Sequence, residues 1–340
     1  MTTKATASQT ARSAAGDGRG PRRGGGERRM VPRAEPASYY GRAVLKEPVW
    51  TWEIPWYFFA GGLAGAAEPL GVVADLLGNR PLARRAWGLG LAGAVASPVL
   101  LVSDLGRPER FLNMLRMLKV TSPMSVGSWV LTAAAPCTAV GTAHSWFGWF
   151  GRLSVPIRAI TLVVAPTLAT YTAVLVSNTA VPVWHEARRE LPFVFAGGAM
   201  ASAGAAAAVI TPRAHAAPAR KLAAVGAALE LAATQTMETR LGDLGEPYHQ
   251  GRAGRFARAA KGLTAAGAAV IALRGRRSRV GAVVGGVAVL AGAVCGRWAV
   301  FEAGRASAAD PKYTVGPQRT RLSERGEAQP AMVPSERTVK

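Results

Sequence analysis

Residues 54–67, "IPWYFFAGGLAGAA", and residues 191–205, "LPFVFAGGAMASAGA", decide the fold. Each opens with an apolar residue and Pro, passes through aromatics to "FAGG", and continues without charge. The second begins 137 residues after the first, and the acidic turns that follow, at Asp104 and Asp243, lie 139 apart. A helix needs roughly 17–25 apolar residues to cross the hydrocarbon core. The chain offers eight such runs, at 54–77, 86–103, 125–143, 159–177, 191–211, 220–238, 258–273 and 279–302. The seventh is the shortest, with Lys261 placed to snorkel at its end. Four runs per unit is an even number, so two similar units share one orientation. The expected fold is an all-α polytopic membrane protein: eight transmembrane helices as two similar four-helix bundles in parallel repeat.

The bundles are expected at 49–185 and 186–303, flanked by a disordered basic tail at 1–48 and a disordered tail at 304–340. Gly and Ala dominate the later spans, which favours close contact between helices in lipid. The 340 residues carry 41 Lys and Arg against 20 Asp and Glu, a net +21. In a soluble protein that balance suggests nucleic acid, but here the basic residues sit in the N-terminal tail and in short gaps between apolar runs. That is the loop pattern of a membrane protein, and it excludes a nucleic-acid function. No apolar core follows the charges of the first 30 residues, so no signal peptide is expected.

Loops 78–85, 144–158, 212–219 and 274–278 contain Arg and no acid, whereas those on the opposite side mix both signs. Basic short loops favour the cytoplasmic face, which puts both termini and the acidic turns outside the plasma membrane. The basic N-terminal tail argues the reverse. Cys137 and Cys295 stand alone inside apolar runs, without iron–sulfur or zinc spacing.

The run "VWTWEIPWYFFAGGLAGAAEPLG" (49–71), then "DLGRPERFLNMLR", "TSPMSVGSW" (121–129) and "YTAVLVSNTAVPVW" (171–184), in that order, resembles the NrfD/PsrC family. These are membrane anchors of polysulfide-reductase-type molybdoenzymes. The resemblance spans about residues 40–300. It implies a quinone or quinol site in the first bundle, with menaquinone expected from the GC-rich character of the composition. It also implies two partners, a four-cluster ferredoxin-like iron–sulfur subunit and a molybdopterin catalytic subunit. No haem, iron–sulfur cluster or molybdenum is expected in this chain. His144, His185, His215 and His249 lie in loops or at span ends, where two imidazoles cannot face each other across a haem in the bilayer.

Quinone chemistry moves two electrons and two protons, so its site needs an apolar slot, donors to the carbonyls and titratable groups. Tyr57 and Tyr171 match family positions and are expected to contact the ring; each is equally readable as a packing or interfacial tyrosine. Trp56 is a further ring contact by position, although Trp50, Trp52 and Trp56 also read as an interfacial belt. Glu53 is a proton acceptor at the mouth, or simply an acid in the first turn of a helix. Asp104 and Arg107 are expected to rim the pocket in "VSDLGRPERFLN" (102–113), or to staple their own turn by pairing. Glu68 and Glu230 fall deep in spans one and six, where an ionisable group marks a functional position such as a proton path. Gln235 and Glu238 are expected to extend the Glu230 face, while Asp75, Arg297 and Glu302 lie near span ends within reach of water. A secondary transporter and a purely structural anchor are the competing functions.

Overall fold

The structure is a computed structural model, and it describes residues 43–105 and 108–324. Among them every regular element is helical. Four long helices come first: α1 (Glu53–Leu76), α2 (Arg80–Asp104), α3 (Pro123–Phe147) and α4 (Ser154–Ser177). A short helix, α5 (Pro182–Glu186), precedes α6 (Leu191–Ile210), α7 (Ala217–Leu241), α8 (Gly251–Arg274), α9 (Arg279–Ala309) and α10 (Lys312–Glu324). Starts follow capping chemistry: Asn79, Ser122 and Ser278 each accept a backbone N–H of the first turn. Pro sits in the first turn of α2, α3, α6 and α7, where its missing N–H costs nothing.

Seven of these helices are long and apolar enough to cross a membrane. Among the eight long helices the exception is α7, where Arg220, Lys221, Glu230, Glu238 and Arg240 interrupt the apolar run. The weak span expected at 258–273 is a full helix starting at Gly251, and it meets the criterion. That extension moves Lys261 well inside α8, so it does not snorkel from a helix end; it pairs with Glu238 of α7 at 2.5 Å. Residues 304–324, placed in the C-terminal tail by the sequence reading, are largely helical. Ala303, Gly304, Ser307 and Ala308 are buried small residues that carry α9 to Ala309, and α10 runs to Glu324.

α1 packs on α2 and α4, and α3 joins α2 to α4. Among the later helices α6 packs on α7 and α9, and α8 joins those two. α1 and α6 are the most buried spans and touch each other. Phe58 meets Phe195 edge-on across that seam at 5.6 Å, a geometry that adds about 0.5–1.5 kcal/mol to simple burial. Close approach depends on small residues: a Cβ on Gly65 would lie 2.5 Å from the Ala165 carbonyl of α4. Asn79 between α1 and α2 donates to the His215 carbonyl between α6 and α7 (2.9 Å), and Arg85 reaches Ile210 O (2.8 Å). Both turns therefore lie at one end of the molecule, and α1 and α6 run in the same direction.

The opposite end is clasped by polar contacts. Arg240 grips both carboxylate oxygens of Glu190, at 2.5 and 2.6 Å, and the guanidinium holds that carboxyl below its usual range. Trp50 stacks on Trp184 at 5.6 Å, and the Trp184 indole donates to Val300 O at 2.7 Å.

Candidate functional site

At that clasped end, α1, the end of α2, α3 and α4 enclose a cavity with about 620 Å³ of unfilled space, counting its mouth. Its wall is almost wholly apolar, from Trp50, Ile54, Phe58, Met114, Met124 and Leu175. Four polar side chains line it from four elements: Tyr57 from α1, Asp104 from the end of α2, Ser128 from α3 and Tyr171 from α4. Pro108–Leu115, a 3-10 segment, places Met114 in the cavity wall, and Ser128 of α3 donates to its sulfur at 3.7 Å.

Tyr57 is 1% exposed, and its hydroxyl finds no partner among the described residues. An unpartnered buried hydroxyl costs roughly 1–3 kcal/mol, so its presence in a cavity wall calls for a ligand or water. Tyr171 lies flat against Gly127, where a Cβ would come within 2.1 Å of its ring. Gly127 therefore sets how far the Tyr171 ring can withdraw from the cavity. Gly127→Ala is expected to push the phenol into the slot and lower turnover of a quinol analogue about 10²-fold, the cost of an ångström-scale misplacement. Steady-state assay of the assembled complex checks this, with α-helix content measured alongside.

Asp104 is bonded to the start of α1. Its Oδ1 accepts from the Thr51 amide (3.3 Å) and hydroxyl (3.1 Å), tying the end of α2 to the start of α1. Glu53 bonds the same Thr51 hydroxyl and so sits on the rim beside Asp104 rather than in the wall. Arg107 lies outside the described residues. Trp56 is not brought to the cavity: it is 39% exposed and packs edge-on against Phe59, because one position along a helix turns a side chain by about 100°. The tryptophan that does line the site is Trp50. Sequence reading placed it in an interfacial belt and passed over Met114, Met124 and Ser128, although all four lie in the quoted motifs.

Glu68 is fully buried but distant. Eleven residues of helix, about 16 Å, separate it from Tyr57. Its Oε1 accepts from Thr138 at 2.5 Å, and it packs over Gly90 of α2. Glu230 belongs to a second cavity, with about 430 Å³ of unfilled space between α6, α7, α8 and α9. Glu238, Lys261, Thr234, Thr264 and Tyr248 enter the same space. Glu230 Oε2, Glu238 Oε1 and the Tyr248 hydroxyl are buried without partners among the described residues. Burial pushes the Tyr248 hydroxyl far above its ordinary range, so it stays a proton donor at any physiological pH.

Two expectations about this region are corrected. Gln235 leaves the Glu230 face, is exposed and bonds Thr239, because five residues turn a helix by about 140° away. Arg297 does not reach water. It is 3% exposed, donates to Phe195 O at 2.9 Å and lies 4.0 Å over the Phe195 ring. The second "FAGG" explains how this is accommodated: a Cβ on Gly198 would sit 2.6 Å from Glu230 Oε1 and 3.0 Å from the Arg297 guanidinium. Of the other two acids, Asp75 accepts from the Trp87 indole (3.0 Å) and Glu302 faces Arg252 (3.4 Å).

A family model described as NrfD, polysulphide reductase, matches residues 43–236. The chain belongs to the NrfD family. The match runs from before α1 into α7, so it takes in the whole Tyr57–Tyr171–Asp104 cavity and Glu230, while α8 and α9 lie beyond it. No individually curated protein matches the chain. NrfD proteins are membrane subunits of molybdoenzyme-type complexes, and this one is a multi-pass membrane protein.

Proposed function

We propose that this NrfD subunit oxidises or reduces a quinone, menaquinone by preference, in the Tyr57–Tyr171–Asp104 cavity. Electrons pass between the quinone pool and an iron–sulfur subunit docked over the 3-10 segment, and from there to or from a molybdopterin subunit. The observation that carries the reading is a buried hydroxyl without a partner, that of Tyr57, in an apolar cavity shared with a second phenol and capped by a carboxylate. The slot suits a planar ring, the phenols suit its carbonyl oxygens, and Asp104 with Glu53 suits proton exchange at the mouth. In the oxidising direction a quinol gives two electrons to the iron–sulfur subunit and two protons to these acids.

The repeat reading places four helices, α1–α4 and α6–α9, in each of two units, with both termini outside the cell. The shared direction of α1 and α6 supports it, as do the 3-10 segments that follow α2 and α7. In that scheme Glu68 and the Glu230–Glu238–Tyr248 cavity serve proton movement, and the second acidic turn is structural. A secondary transporter is the weaker reading. Such proteins place their sites at broken helices, whereas α1 and α6 run unbroken through their full lengths.

Purification from native membranes tests the assembly. The chain is expected to isolate with an iron–sulfur subunit, and isolation alone overturns the complex. Asp104→Asn tests the site: a fall of about 10-fold or more in quinol-analogue turnover is expected of a lost proton acceptor. Unchanged turnover removes Asp104 from it.

A further inference from the structure

The end of the molecule opposite Asp104 carries a different kind of pocket. The first turns of α2, the last turn of α3 and the end of α6 bound about 1150 Å³ of open space, lined by Arg84, Arg85, Leu89, Trp146, Phe147 and Ile210. Both guanidinium groups are held there by neutral carbonyls. Arg84 Nε donates to Ser145 O at 3.1 Å, and the Trp146 indole returns a bond to Arg84 O at 2.8 Å. Arg85 donates to Ile210 O at 2.8 Å and Pro81 O at 2.7 Å. Among the described residues no carboxylate pairs with either arginine. The adjoining loops, 78–85, 144–158 and 212–219, contain no Asp or Glu at all.

Around this pair Trp146, Phe147, Trp149 and Phe150 are all exposed, as aromatic residues at a membrane–water boundary are. Two cations paired with no carboxylate among the described residues, set at the edge of the bilayer above an apolar floor, present two demands at once. The arginines need an anion, and their planar forks match phosphate oxygens. The floor of Leu89, Phe147 and Ile210 needs hydrocarbon. Inorganic phosphate meets only the first demand and a zwitterionic lipid meets the first poorly, because its own ammonium competes for the phosphate.

We propose that this pocket binds an anionic diacyl phospholipid, with its phosphate on Arg84 and Arg85 and an acyl chain along Leu89 and Phe147. Basic pockets between membrane helices are suited to such headgroups. Arg85 already joins α2 to the end of α6, so the lipid clamps the first four helices to the later ones. The site is independent of the quinone reading, since it lies at the far end of the molecule.

Thermal unfolding of the full chain in neutral detergent tests it. Phosphatidylglycerol is expected to raise the midpoint by about 5 °C, as a ligand bound only by the folded state does. Phosphatidylcholine and inorganic phosphate should move it by less than about 1 °C. Arg84→Gln/Arg85→Gln should abolish the phosphatidylglycerol shift, and Arg152→Gln/Arg158→Gln, on the same face outside the pocket, should keep it. Equal shifts with both lipids, a full shift with phosphate alone, or a shift retained by Arg84→Gln/Arg85→Gln overturns the proposal. Should the pocket variant fail to fold, spin-labelled lipids on the unaltered protein decide. Preferential immobilisation of phosphatidylglycerol over phosphatidylcholine supports the site, and a ratio of one overturns it.

Discussion

Tyr171→Phe is expected to lower quinol-analogue turnover by the assembled complex about 10²-fold, the usual worth of a positioned proton donor or acceptor. The substitution removes one oxygen and keeps the ring that packs against Gly127, so the slot retains its shape. Folding, and recovery of the complex on purification, should therefore be unchanged. The companion Tyr57→Phe separates chemistry from structure more sharply. Because the Tyr57 hydroxyl is buried without a partner among the described residues, removing it costs no stability and is expected to raise the unfolding midpoint slightly. Turnover should still fall. A tyrosine that served only packing would show the same midpoint with activity unmoved. Steady-state assays with a menaquinol analogue, paired with thermal unfolding of each variant, distinguish the two; full activity in both variants would remove the quinone site from this cavity.

The second large effect is one of stability. Arg297→Met is expected to destabilise the protein by about 3 kcal/mol, within the range seen when one member of a buried charged pair is removed. Three interactions go at once: the bond to Phe195 O, the stacking on the Phe195 ring and the positive charge beside Glu230 across Gly198. The remaining carboxylate is left among apolar residues of α6, α7 and α9. Glu230→Gln in the same chain should recover a substantial part of the loss, since a neutral amide needs no cation there. Thermal unfolding of the two single variants and the double variant measures the coupling. Strictly additive losses would show that Glu230 and Arg297 act separately.

The helices were legible because lipid imposes a length and a composition that few other environments demand. All eight apolar runs are long helices, with ends shifted by a few residues where polar caps and small residues extend them. The direction shared by α1 and α6 was legible from an even number of spans between two similar segments. Tyr57, Tyr171 and Asp104, which line one cavity, were legible together through the family resemblance of the motifs that hold them. Trp56 was misplaced because adjacency in a motif says nothing of the 100° that separates neighbours around a helix. Arg297 was misjudged because a position near the end of an apolar run looks solvent-accessible until another helix covers it. Lys261 failed for the same reason, its partner Glu238 standing on a helix 23 residues away in sequence.

The sequence alone determined that the chain is a bundle of membrane helices, and which residues carry charge within it, because burial in hydrocarbon is enforced residue by residue. Only the tertiary structure decided which of those polar groups share a cavity. That choice depends on helix rotation and on where glycines let two backbones approach, as at Gly127 under Tyr171 and Gly198 beside Glu230 and Arg297. A rotation of one residue moves a side chain from a cavity wall to the lipid, and nothing in apolar composition distinguishes the two.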